Sequence, residues 1–110
     1  MKKFADAFHG LRDGWNDRGV RTQILMVLPA CTAGFILRFS FEEWLAVLLC
    51  FGLVISLEMI NTCIERVCDL ITEEYDERIR LIKDLAAGAV LTASLISFLI
   101  ALMIFIRRFV

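Results

Sequence analysis

Proline occurs once in this chain, at Pro29, and histidine once, at His9. No two cysteines stand as a CxxC pair, and no metal-ligand spacing links them. Cys31, Cys50, Cys63 and Cys68 lie in apolar or helical stretches and read as small packing residues. No polybasic stretch is dense enough to engage nucleic acid. Neither a GxxxxGK[ST] loop nor a kinase glycine-rich loop is present, so any use of ATP must proceed without a standard nucleotide fold. No internal repeat or low-complexity segment is visible. No cleavable signal sequence is expected either: "MKKFADAFHGLRDGWNDRG" is charged throughout, with no apolar run before residue 24. The first apolar segment is therefore expected to serve as its own insertion signal.

Polar surface is also scarce. Of 110 residues, 59% are hydrophobic, more than a soluble domain of this size can hide, so a membrane protein is the first reading. The length allows one domain, taken here as residues 1–110. The net charge of −1 is uninformative, because charge in this chain is a matter of position.

The pattern predicts an all-α membrane protein with a surface helix and three spans. Over residues 4–15, Phe4, Phe8, Leu11 and Trp15 fall on one helical stripe, with Asp6, His9, Arg12 and Asp13 around the rest. Such a helix suits the headgroup layer. The first span is expected over about residues 23–39, around "ILMVLPACTAGFIL", with Arg21 and Arg38 snorkelling at its ends and Pro29 as a site for a kink. "RFSFEE" then reads as a tight polar turn. The second helix is expected over about 44–72; at that length, roughly 43 Å, it exceeds the hydrocarbon and must emerge into water. The third span, about 85–106, has 22 uncharged residues, and Ala89, Ala93, Ser97 and Ala101 recur every four as a close-packing face.

Lysine and arginine set the orientation. Lys2, Lys3, Arg12, Arg18, Arg21, Arg66, Arg78, Arg80 and Lys83 lie on one side, against Arg38, Arg107 and Arg108 on the other. The nine mark the cytoplasmic face, placing the N-terminus inside and the C-terminus outside.

Against this background the segment "SLEMINTCIERVCDLITEEY" is anomalous. It follows a run from Trp44 to Leu57 without a charge, yet carries Glu58, Asn61, Glu65 and Asp69. An ionised carboxylate in hydrocarbon costs roughly 2.5–3.5 kcal/mol even on the lenient scale. At ~100° per residue the four share one stripe ~80° wide. The stripe descends from the inner edge of the hydrocarbon, at Glu58, to headgroups and water, at Glu65 and Asp69. An ion pathway would favour acids near mid-membrane; this stripe instead joins a lipid-accessible group to a water-accessible one. A lipid hydroxyl could meet Glu58 as proton acceptor, while a polyphosphate with its Mg²⁺ meets Glu65. The bland alternative pairs these acids with Arg12, Arg18 or Arg66 to hold helices together. In the connection "DLITEEYDERIRLIKD", mixed charges read mainly as a solvated cap, with Lys83 a candidate phosphate contact.

"SLEMINTCIERVCDLITEEY" followed by "KDLAAGAVL" closely resembles the small prokaryotic diacylglycerol kinase family, integral membrane lipid kinases unrelated to soluble kinases. The form is most similar to the Gram-positive branch, whose members phosphorylate undecaprenol. The resemblance implies a homotrimer of three-span subunits in the bacterial cell membrane, with active sites shared between neighbours and ATP as donor. It assigns Glu58 as catalytic base and Glu65 as ligand of the nucleotide-bound Mg²⁺. Asn61 and Asp69 match residues lining the site; Glu74, Tyr75 and Asp76 the segment contacting the nucleotide; Lys83 and Asp84 the pair near ATP. The family's second metal-binding Glu, in E-R-N-x-x-I-H, corresponds to Asp17 in "DRGVRTQ", one methylene shorter, and the His to Gln23.

The expected activity is therefore ATP- and Mg²⁺-dependent phosphorylation of a membrane lipid alcohol, undecaprenol first and diacylglycerol second. One rival is a small proton-coupled exporter, which would want a fourth span and a mid-membrane acid. The other is a non-catalytic assembly or pore protein, which leaves the aligned acids unexplained.

Overall fold

A computed structural model describes residues 2–110 as four helices joined by short connections. They are α1 (Lys2–Asn16), α2 (Arg18–Ile36), α3 (Phe41–Ile71) and α4 (Glu77–Phe109). The last three are each long and apolar enough to cross a membrane, by length and composition. The longest dimension, 52 Å, exceeds the ~30 Å of bilayer hydrocarbon, so the ends of the long helices extend past it.

Each boundary has a local cause. Asp17 is the N-cap of α2, its Oδ2 accepting the Val20 N–H at 3.1 Å. A reciprocal capping box opens α3: Ser40 Oγ accepts from Glu43 N–H at 3.2 Å, and Glu43 Oε1 accepts from Ser40 N–H at 2.8 Å. Helix α2 closes with Arg38 in the left-handed region (φ 56°); Phe39 N–H donates to Gly34 O and Arg38 N–H to Phe35 O. Asp76 caps α4.

These boundaries correct several sequence expectations. The first span lies about five residues earlier at its start and three at its end than expected, since Asp17 caps it and the Arg38 turn stops it. The capping box starts α3 at Phe41, so "FEE" belongs to that helix and not to the turn. Most of the charged connection is helical: α4 begins at Glu77, leaving only residues 72–76 between the helices.

Helix α3 is central, packed against α4 on one side and α2 on the other, while α1 rests on α2. The inter-helix core is thin: the buried apolar residues are Val20, Val54, Cys68 and Ala93. The helices approach closely where residues are small. Gly34 is buried, and a Cβ built there would lie 2.6 Å from the Trp44 ring and 2.9 Å from Phe39. Of the small residues on the last helix, Ala93 is buried, whereas Ala89 and Ala101 are exposed, so the expected packing face is only partly used within one chain. The cysteine reading holds for buried Cys68 and half-buried Cys31 and Cys50, but Cys63 is exposed. On α1, Phe4, Phe8, Leu11 and Trp15 form an exposed stripe. Apolar surface on this scale is not left to water.

Candidate functional site

The four stripe residues occupy one face of α3 because their spacing, three, four and four residues, tracks the helical turn. Glu58 is half-buried and faces the first turn of α2. Its Oε1 stands 2.5 Å from the point a Gly19 Cβ would occupy, and Asp17 Oδ2 stands 3.4 Å from the same point. Two carboxylates, one from the cap of α2 and one from α3, therefore border a single small space. The charges of Asp17 and Glu65 are close enough to act on Glu58.

One turn further along α3, Asn61 Nδ2 donates to Glu65 Oε1 at 3.1 Å, which leaves Asn61 Oδ1 enclosed with no hydrogen-bond partner. An orphaned buried carbonyl oxygen calls for an explanation such as an ion or a water. Among the described residues no three His, Cys, Asp or Glu side chains converge as a metal cage. Mg²⁺ bound with phosphates needs only one or two carboxylates, with other oxygens completing the shell. The Glu65 carboxylate beside the unsatisfied Asn61 oxygen fits that requirement, and Asp17 has a second oxygen that takes no part in its cap bond.

At the end of the stripe, Lys83 Nζ reaches from α4 to Asp69 Oδ1 at 2.8 Å. Arg12, Arg18 and Arg66 form no ion pair among the described residues, so the bland pairing of the stripe with those arginines is not what the chain adopts. The remaining predicted residues are not drawn onto the stripe. Tyr75 is exposed, its hydroxyl donating to Glu77. Asp76 accepts from the Arg78 backbone and guanidinium. Asp84 pairs with Arg80 at 2.7 Å, and Arg80 also binds Glu77 at 2.5 Å. Glu74 is exposed, its backbone N–H donating to Thr72 Oγ1 at 3.1 Å. The predicted residues thus fall into two groups, the stripe with Asp17 and Lys83, and a solvated charge ladder around the start of α4.

An apolar groove of about 480 Å³ lies between α2, α3 and α4 and is lined by none of the four stripe residues. Its lining includes Val54, one turn before Glu58, and Gln23, one turn after Gly19, together with Phe51, Ser97 and Phe98. Sequence reasoning missed two features. Gly19 was passed over because its contact with Glu58 is made between helices. The Glu43–Arg108 pair joins residues 65 positions apart at the opposite end of the bundle; its one local signal was the Ser40–Glu43 capping spacing.

Residues 5–105 match the prokaryotic diacylglycerol kinase family. Undecaprenol kinase of Bacillus subtilis (strain 168) is 34% identical to this chain over 109 residues, covering 98% of the chain and 89% of that protein.

Proposed function

Since the chain belongs to the prokaryotic diacylglycerol kinase family and is a membrane lipid kinase, we propose that it transfers the γ-phosphoryl group of ATP to undecaprenol. The observation that carries this reading is the continuous stripe on α3. It starts at half-buried Glu58, one helical turn beyond Val54 of the apolar groove, and ends at exposed Asp69 with Lys83 across from it. A lipid alcohol whose chain lies in apolar surroundings brings its hydroxyl to Glu58, and a polyphosphate approaches from water at the other end. The Bacillus subtilis relative named for undecaprenol puts that alcohol ahead of diacylglycerol.

Glu58 takes the hydroxyl proton as the oxygen attacks the γ-phosphorus and the bond to ADP breaks, giving undecaprenyl phosphate and ADP. Mg²⁺, held by Glu65 and Asp17, would screen the phosphate charges. Lys83 exchanges its bond to Asp69 for a phosphate oxygen, and Asn61 and Asp69 line the site. Glu74, Tyr75 and Asp76 contact the nucleotide, with Asp84 nearby; Glu74, Tyr75 and Asp84 are exposed and so accessible to it, while Asp76 is half-buried. Most of the acceleration in phosphoryl transfer comes from positioning and charge stabilisation, which is what a stripe of fixed carboxylates and one lysine supplies. We further propose one domain over residues 1–110, acting as a homotrimer in the bacterial cell membrane, with α1 in the headgroup layer, the N-terminus in the cytoplasm and the C-terminus outside.

The test uses purified protein in mixed micelles with labelled ATP and Mg²⁺, offering undecaprenol and diacylglycerol separately. Label is expected in undecaprenyl phosphate and absent with Glu58→Gln, which should retain its assembly. Preference for diacylglycerol would change the acceptor and keep the mechanism. An active, correctly assembled Glu58→Gln would remove Glu58 from the role of base.

A further inference from the structure

We infer that the apolar groove between α2, α3 and α4 seats the hydrocarbon chain of the acceptor alcohol, its hydroxyl lying, on the reading of Glu58 as base, at that carboxylate. On α3 the groove and the polar stripe share one face. Val47, Phe51 and Val54 line the groove and precede Glu58 at spacings of four, three and four residues. At ~100° per residue they lie within ~40° of Glu58 around the helix. One face of α3 is thus apolar up to Val54 and ionisable from Glu58 onward.

The other two walls lead to the same end. Gly19 stands against Glu58 and Gly34 against Trp44, so α2 runs antiparallel to α3. Lys83 bonded to Asp69, and Arg108 to Glu43, set α4 antiparallel to α3 in the same way. These pairings put Gln23 and Ser97 level with Val54, next to Glu58, and Ala30 and Ile104 level with Val47, at the far side. Met26, Phe51 and Ala101 make the layer between. At ~1.5 Å per residue the three layers lie roughly 6, 10 and 16 Å from Glu58 along α3.

The layers form a lane that runs along the helices and ends at the carboxylate. Its volume of about 480 Å³ falls within the ~300–1,000 Å³ of small-molecule sites, and its lining is apolar but for Gln23, Ser94 and Ser97, as in such sites. Met26, Phe98 and Ala101 are exposed, so the lane is open along one side and a chain enters it sideways from the surrounding lipid. A chain that does so leaves lipid and not water, so the transfer itself contributes little. What the lane supplies is orientation: a chain held along it keeps the hydroxyl within reach of Glu58.

Filling the lane tests this. Ala101→Phe and Ala30→Phe enlarge small residues of the middle and far layers, while Thr32→Phe adds bulk at an exposed position of α2 outside the lining. In mixed micelles with labelled ATP and Mg²⁺, kcat/KM for undecaprenol is expected to fall about tenfold or more in both filled variants, the scale of a misplaced reacting group. KM for ATP should stay unchanged, and Thr32→Phe should match wild type. An undecaprenol analogue carrying a diazirine a few isoprene units from the hydroxyl reports the chain's position without any chemistry at Glu58. After irradiation its adducts are expected on the groove residues of α3 and α4 in wild type and in Glu58→Gln alike, and are expected to be lost in Ala101→Phe.

Adducts spread over the outward faces of the helices, or wild-type kcat/KM in both filled variants, would overturn the inference. So would filled variants that change their assembly state and lose activity while keeping wild-type adducts, since the lane would then receive a helix of a second copy. A wild type that transfers no label yet takes adducts in the groove would overturn undecaprenol as acceptor and Glu58 as its base, and leave the groove as a seat for the chain.

Discussion

Asp76 ends the short connection and opens α4 by taking the Arg78 N–H at 2.9 Å, while the Arg78 guanidinium returns to the same carboxylate at 3.1 and 3.3 Å. The Arg78 side chain, and after it the Arg78 backbone N–H, hold the Asp76 carboxyl below the ordinary carboxylate range. A folded value lower than the unfolded one means that the unfolded chain binds the proton more readily. The contribution of Asp76 is therefore complete above the unfolded value, about pH 4, and is lost as pH falls through the folded one. Asp76→Asn keeps an N-cap acceptor but cannot titrate. Amide hydrogen exchange at the start of α4 should speed up below about pH 4 in wild type, after correction for the intrinsic rate. In Asp76→Asn the corrected protection should be nearly independent of pH there. Equal pH dependence in the two proteins would show that other groups control this end of the helix.

At the scale of elements, the α2–α3 turn combines a strained residue with a tight one. Arg38 occupies the left-handed region, which costs a non-glycine residue roughly 1–2 kcal/mol. Arg38→Gly should stabilise by about 1 kcal/mol, part of that cost being offset by the greater freedom of glycine when unfolded. Gly34 has the reverse requirement, and Gly34→Ala should cost about 1–3 kcal/mol because its methyl meets the rings of Trp44 and Phe39. Reversible unfolding in detergent would measure both. The two signs must be opposite, since one substitution relieves the backbone and the other overfills the packing.

The same turn marks where sequence reading succeeds and where it stops. The stripe Glu58, Asn61, Glu65, Asp69 was legible because spacing along one helix determines a face. The three long helices were legible from uncharged runs. The start of α4 was not, because its charges resembled a solvated loop; only Asp76 ahead of "ERIR" carried a cap signal. Meetings between helices, Gly19 with Glu58, Lys83 with Asp69 and Arg108 with Glu43, depend on the rotation and height of one helix against another. No short-range pattern encodes those.

For the whole molecule, few buried side chains join the helices, so fixed polar contacts at the two ends matter more than in a soluble bundle. At one end lies the stripe with Asp17 and Lys83. At the other, Arg108 draws together the end of α4, the start of α3 and the turn between α2 and α3. Its guanidinium binds Glu43 at 2.6 and 3.0 Å and the carbonyls of Leu37 and Arg38 at 2.5 and 2.7 Å. It also lies 5.2 Å from the centre of the Phe39 ring. Its side chain is 24% exposed and that of Glu43 13%, so neither is fully hydrated once its partner is lost. Arg108→Ala strips three acceptor groups of a donor at once, whereas Arg107→Ala removes an exposed arginine with no ion pair among the described residues. The thermal midpoint should therefore drop by several degrees for Arg108→Ala and hardly move for Arg107→Ala. Arg108→Lys should fall between them, because an ammonium cannot span a carboxylate and two carbonyls in one plane. Since the clamp and the stripe sit at opposite ends of α3, kcat of Arg108→Ala measured well below its midpoint should match wild type. A fall in kcat there, where the variant is still folded, would mean that the two ends are mechanically coupled through α3, and that the α2–α3 turn helps set the position of Glu58.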